Sequence, residues 1–268
     1  MTNTTFNTDG LHPHIAAMVA TDALFSKLPT RLLSVSTDAK TVKGETDDIL
    51  TGIIYLSPAD TVSTKTLCPY ADIAGCKTGC LNTAGRGRFS NVQRARIRKT
   101  LFWQQYRAEF MTLLVADIKR LQRKAARLNM TPAVRLNGTS DICWEKQSMG
   151  SGFQIGRGTI FDIFPDVQFY DYTKKPGRTT PDNYHLTFSY SGREIFQRAV
   201  VKQLKHSPQT NIAVVFAEQL PSEFLGRSVI NGDASDVRFN DDAGVIVGLL
   251  AKGDAKTDYS GFVCRMGA

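Results

Sequence analysis

The chain has 268 residues, 42% of them apolar and 22% charged, with a formal net charge of +8. That length excludes a mini-protein that needs staples, and the composition is ordinary enough to build a core unaided, so disorder is not the expectation. No window supplies the ~18 apolar residues of a bilayer-crossing helix, and Met1 to Gly10 is polar rather than signal-like. No membrane association and a cytoplasmic location are expected.

Residues 1–30 mix Thr, Asn, His and Pro with one apolar run, which predicts a loosely attached arm carrying a brief helix near Ile15 to Phe25. Residues 31–268 read as a single α/β domain with a cysteine loop at 66–88. Strand-like segments are expected at Leu32 to Val35, Thr41 to Gly44 and Gly52 to Leu56. Ser90 with Gln93 three residues on predicts a capping box that opens one long amphipathic helix to about Leu128, stopped at Thr131-Pro132. Strands are then expected at Ala133 to Asn137, Val167 to Tyr172, Tyr184 to Tyr190, Ile212 to Ala217, Ser228 to Ile230 and Gly244 to Leu250. Helices are expected at Thr159 to Phe164 and Arg193 to His206. Strands separated by helices imply parallel pairing, hence a mostly parallel α/β sheet, as a (β/α) barrel or a partial one. There is no internal repeat.

The basicity is local. Between Arg86 and Arg127 stand twelve Lys and Arg against two acids, Glu109 and Asp117. Such an excess recruits phosphate, so nucleic acid or a nucleotide is the expected partner, with Arg86, Arg88, Arg94, Arg98 and Lys99 meeting phosphates. An acidic protein partner or a merely solvated helix face fits the same charge.

Five cysteines is an odd number, which with their clustering points to ligation in a reducing compartment rather than to a disulfide framework. Cys68, Cys76 and Cys80 have the spacing C-x7-C-x3-C, with Gly75 and Gly79 each directly before a cysteine. Glycine permits the turns by which thiolates from a tight backbone converge on one centre. Three thiolates suit a four-iron iron–sulfur cluster, the leading expectation, or zinc, the alternative, and spacing does not choose between them. Cys264 is the expected fourth ligand and Cys143 its rival.

Asp141 and Glu145 follow one expected strand and Lys174 another, so all three are candidate catalytic groups at a shared mouth. A carboxylate beside a lysine runs proton transfer once burial moves their pKa values, and is otherwise an inert ion pair. Asp233, Asp236, Asp241 and Asp242 around Arg238 form an acidic loop, either a solvated turn or one dense enough to hold magnesium. No Walker loop, dinucleotide fingerprint, HExxH or nucleophile elbow is present.

Several of these segments together resemble the phage and actinobacterial "gene product 88" domain family over roughly residues 35–265. The carriers are Cys68-Pro with Cys76 and Cys80, Leu81 to Gly87, Arg135 to Asp141 with Trp144-Glu145, Phe169 to Lys174, and Gly232-Asp233 with Asp236, Arg238 and Phe239. The resemblance implies a phage or prokaryotic protein, in the host cytoplasm if phage-encoded, and names no reaction. A looser similarity is to radical-SAM barrels, in which a three-cysteine loop after an early strand binds a four-iron cluster at the open end of a partial barrel. The spacing here departs from their C-x3-C-x2-C, and a fourth cysteine would occupy the iron that S-adenosylmethionine needs. Three functions follow as expectations: an iron–sulfur protein binding or acting on nucleic acid or nucleotide, a non-catalytic zinc-stabilised protein that binds nucleic acid or a host protein, and a radical-SAM-like enzyme on a small molecule.

Overall fold

A computed structural model describes residues 6–36, 47–150 and 158–265. The expected strand at Thr41 to Gly44 lies outside them. Nine strands form one sheet: β1 (Leu33–Val35), β2 (Ile49–Ile54), β3 (Thr131–Arg135), β4 (Gln168–Thr173), β5 (Tyr184–Ser189), β6 (Ile212–Phe216), β7 (Glu223–Phe224), β8 (Arg227–Asn231) and β9 (Ile246–Leu250). Their spatial order is β1-β2-β3-β4-β5-β6-β9-β8-β7. All pairs from β2 to β8 are parallel, and the edge pairs β1·β2 and β7·β8 are antiparallel. The sheet is therefore mostly parallel, as expected, but open, and no closed barrel forms.

Strand alternation sorts side chains to two faces. On one, Leu50, Ile54, Val134 and Phe169 pack with Phe110, Leu114, Ile118 and Leu121 of α4 (Arg107–Leu128). Further along, Phe188, Ile212, Val214 and Ile246 meet Phe196 and, from α5 (Gln197–His206), Ala199 and Val200. On the other face Ile49, Ala133 and Tyr170 gather around Val237 and Phe239 of the β8–β9 loop, and Arg238 in that loop is 1% exposed. The loop read as a solvated or magnesium-binding acidic turn is instead a plug folded onto the sheet.

Three local expectations change. The long helix is two, α3 (Ser90–Gln105) and α4, broken where Tyr106 leaves the helical region at φ −130° and ψ 60°. The break lets aromatic rings from both helices, Trp103 and Phe110, close on Trp144 with centroids 4.6 and 6.4 Å away. The capping box at Ser90 does not form: Phe89 is the cap residue, and Gln93 reaches back to the carbonyls of Asn82 and Gly87. The N-terminal segment is not loosely attached, because Phe6, Ile15 in α1 (Pro13–Thr21) and Phe25 are each under 5% exposed within the main core. Among the described residues no helix is long and apolar enough to cross a membrane.

Candidate active site

A cavity of about 940 Å³ opens on the face of the plug, towards the carboxyl ends of the parallel strands. Arg135 of β3, Tyr172 of β4, Ser189 of β5, Ala213 of β6 and Leu249 of β9 contribute to one wall. The long β2–α3 connection supplies another, including Cys68, Cys76, Cys80, Arg86 and Gly87, with Arg96 from α3. Ligands of parallel α/β sheets sit beyond these strand ends because loops, free of ladder hydrogen bonds, present side chains there.

Each thiol is set by its own local device. Cys68 Sγ accepts the Ala59 N–H at 3.2 Å, and burial pushes its pKa up to about 12. Cys76 follows the one-turn helix α2 (Ala71–Ala74), which Gly75 ends in the left-handed region at φ 69°. A Cβ there would stand 2.6 Å from Ser260 Oγ and 2.7 Å from Arg193 Cδ, so both space and dihedral require glycine. Cys80 Sγ accepts the Asn82 N–H at 3.5 Å. Burial raises Cys76 as well, and charge on Cys80 raises both Cys68 and Cys76, so the three thiols share one electrostatic neighbourhood. Thiols this buried ionise against a cation. Among the described residues no three His, Cys, Asp or Glu side chains stand close enough to hold a single ion.

The other two cysteines stand apart from this wall. Cys264 is fixed by backbone, its N–H on Val215 and its carbonyl on Ala217, and burial raises its thiol to about 11. Lys174 is what it shares with the cluster of thiols: the buried ammonium feels Cys76, Cys80 and Cys264, and burial lowers its pKa. Cys143 caps the single turn Trp144–Lys146, and like Cys264 it is not among the lining residues.

The expected acid–base trio is only partly assembled. Asp141 and Lys174 both line the cavity, but Asp141 accepts the Lys174 backbone N–H at 2.9 Å and the Thr173 hydroxyl at 2.7 Å. The Lys174 ammonium donates to Ser189 and to the Tyr190 carbonyl. Glu145 faces Arg178, which grips it through Nε at 3.1 Å and Nη2 at 2.6 Å and reaches Asp141 at 3.4 Å. Glu145 is thus a structural partner of a buried arginine rather than a group at the mouth. Arg178 carries no signal in the sequence because it lies in a Gly-Pro loop with no motif, and only the fold shows what it meets.

Of the expected phosphate ligands, Arg88, Arg94, Arg98 and Lys99 end on groups of the chain itself. Arg94 pairs with Asp22 at 2.8 Å, Arg98 donates to the Leu28 carbonyl at 2.7 Å, and Lys99 donates to the Leu32 carbonyl at 2.7 Å. Burial pushes the Lys99 pKa down to about 8. Arg88 donates to Thr83 and faces Asp254, while Arg86 lines the cavity. In the acidic loop Asp233 meets Lys252 at 2.5 Å, Asp236 meets Arg135 at 2.6 Å and Asp241 meets Arg238 at 3.3 Å. With Asp233, Asp236 and Asp241 each matched to a cation, the loop does not make a magnesium site, which corrects that expectation.

The family model described as "Gene product 88" matches residues 30–265, most of the chain. No curated protein and no solved structure matches.

Proposed function

We propose that this chain, which belongs to the Gene product 88 family, is an iron–sulfur enzyme acting on a small molecule in the cavity. Cys68, Cys76 and Cys80 would hold a four-iron cluster, with one iron left without a cysteine ligand. The single observation that carries this is the placement of those three thiols, and of neither other cysteine, on the cavity wall. The open, mostly parallel sheet with the cysteine loop after its first parallel strand supports a partial-barrel reading like that of the radical-SAM enzymes.

Bound there, a cluster supplies one-electron chemistry to a co-substrate such as S-adenosylmethionine. The chain's own residues do the rest. The Lys174 amine, held by Ser189 and Tyr190, is coupled by charge to Cys76 and Cys80. Asn137 takes N–H or O–H donors from Ser140, Ile142 and Trp144 onto one carbonyl oxygen and so fixes the loop bearing Thr139 to Asp141. Anaerobic purification tests the proposal: iron and sulfide with broad visible absorbance, and release of 5′-deoxyadenosine from S-adenosylmethionine on reduction, support it. One zinc per chain, or neither metal, contradicts it.

A second reading, nucleic-acid binding, rests on a different surface. A groove of about 1050 Å³ runs between β1 and α4, lined by Arg31, Arg120, Arg123, Lys124 and Arg127, with Asp117 as its acid among the described residues. Asp117 is itself used by the Leu32 and Leu33 N–H groups and by Arg120. Binding to duplex DNA that weakens steeply with salt, and loses slope when Arg123 and Arg127 are neutralised, would support it.

A further inference from the structure

We propose that Arg135 is the anchor for an anionic group, carboxylate or phosphate, on the molecule that the cavity receives. This rests on reading the cavity as the substrate site and deepens it by naming the substrate class, a small organic anion with an apolar body. Arg135 ends β3 and lines the cavity although its side chain is 2% exposed. The guanidinium lies over the rings of Tyr170 and Tyr172, with centroids 5.6 and 5.1 Å away. Its one carboxylate partner among the described residues, Asp236, takes Nη1 at 2.6 Å, and the buried Nε has no partner. A guanidinium carries five N–H donors in a planar fork, so one monodentate carboxylate leaves most of it unused, and an incoming planar anion is the complement of that fork.

The surroundings favour the same ligand. Six Lys and Arg line the cavity against three Asp, so the site is electropositive before any ligand enters. Beside Arg135 and Tyr172, the wall built by β6 and β9 is apolar, with Ala213, Val215 and Leu249. An amphiphilic anion would set its charge on Arg135 and its body against those residues. Asp236, on the plug loop, neutralises the guanidinium while the site is empty and competes with the ligand.

Benzoate and phenyl phosphate, which share one apolar ring and differ in the anion, separate the two sources of the charge. Calorimetry on the purified full chain should show saturable binding of at least one of them. Asp236→Asn, which removes the competitor, should tighten that binding about tenfold, and the neutral double variant Arg135→Gln/Asp236→Asn should weaken it more than about tenfold. The double variant removes both members of the ion pair, and its thermal unfolding reports whether the fold survives. Equal binding by wild type and double variant, or no binding by either wild type or Asp236→Asn, overturns the proposal. Iron content, read from the same preparations, separates the two claims, because anion binding as described without a cluster would sink the cluster and leave the anchor standing.

Discussion

Two groups of cations, one on helix α3 and one around the cavity, have different work, and Lys99 stands at the edge of both. Towards the N-terminal segment, Arg94, Arg98 and Lys99 end on Asp22, Leu28 and Leu32 and tie residues 22–32 to the helix. Around the cavity, Arg135 and Lys174 are deeply buried, yet they border a space with room for a ligand. The lesson is that a count of basic residues along a sequence measures a field, whereas the partner of each cation decides whether any of that field is left for a ligand.

Several substitutions sharpen or break this contrast. The largest effect is expected at Arg178, the buried cation behind the cavity that compensates Asp141 and Glu145. Arg178→Met strands two buried carboxylates and should cost ~3–5 kcal/mol in urea unfolding. Burial already raises the Asp141 pKa and Arg178 opposes that, so the loss should be smaller at pH 5 than at pH 7, and a loss below ~1 kcal/mol would show that the pair is solvated after all.

Asp171 comes next. Burial raises its pKa from 3.8 to about 6, although it accepts from Asn137 N–H and the Tyr184 hydroxyl. A carboxyl raised in the fold favours the folded state most below its unfolded pKa and loses that contribution as pH climbs through the folded one. Wild type should therefore lose about 2 kcal/mol relative to Asp171→Asn between pH 4 and pH 7. Parallel pH profiles for the two proteins would contradict this.

Lys99 gives a smaller effect of definite sign. Its burial disfavours the ammonium, with a folded pKa near 8 against 10.5, so wild-type stability should rise with pH between those values as the unfolded chain holds its proton longer. Lys99→Met should change stability by less than ~1.5 kcal/mol at pH 7, since a lost hydrogen bond offsets relieved desolvation. It should also abolish the alkaline rise. Smallest is the triple neutralisation Arg123→Gln, Lys124→Gln and Arg127→Gln on the exposed end of α4. Each change should stay within ~0.5 kcal/mol, while the salt slope of any DNA binding falls by about 1 for every phosphate no longer neutralised.

Much of the scaffold is legible in the residues. Runs such as Ile212 to Phe216 and Ile246 to Leu250 announce buried parallel strands, and the apolar spacing from Phe110 to Leu121 announces the helix that covers them. The three cysteines of the cavity wall are legible too, because their glycine-marked spacing is local. What escapes depends on contacts distant in sequence. The break at Tyr106 is stabilised by Phe6, a hundred residues before it, and Asp236 becomes a plug residue by meeting Arg135 across 101 positions. Local pattern carries no record of such pairs, so an acidic loop reads as solvated until the sheet that it covers is in view. Cys264 belongs with these, since its position near the chain end says nothing of the Lys174 side chain whose charge it feels.

The most direct measurement is iron, sulfide and zinc content with electron paramagnetic resonance on anaerobically purified protein, beside Cys264→Ser and the triple Cys68→Ala, Cys76→Ala, Cys80→Ala variant. The account predicts about four irons per chain in wild type and in Cys264→Ser, and none in the triple variant. Loss of iron on changing Cys264, or stoichiometric zinc in place of iron, would contradict it.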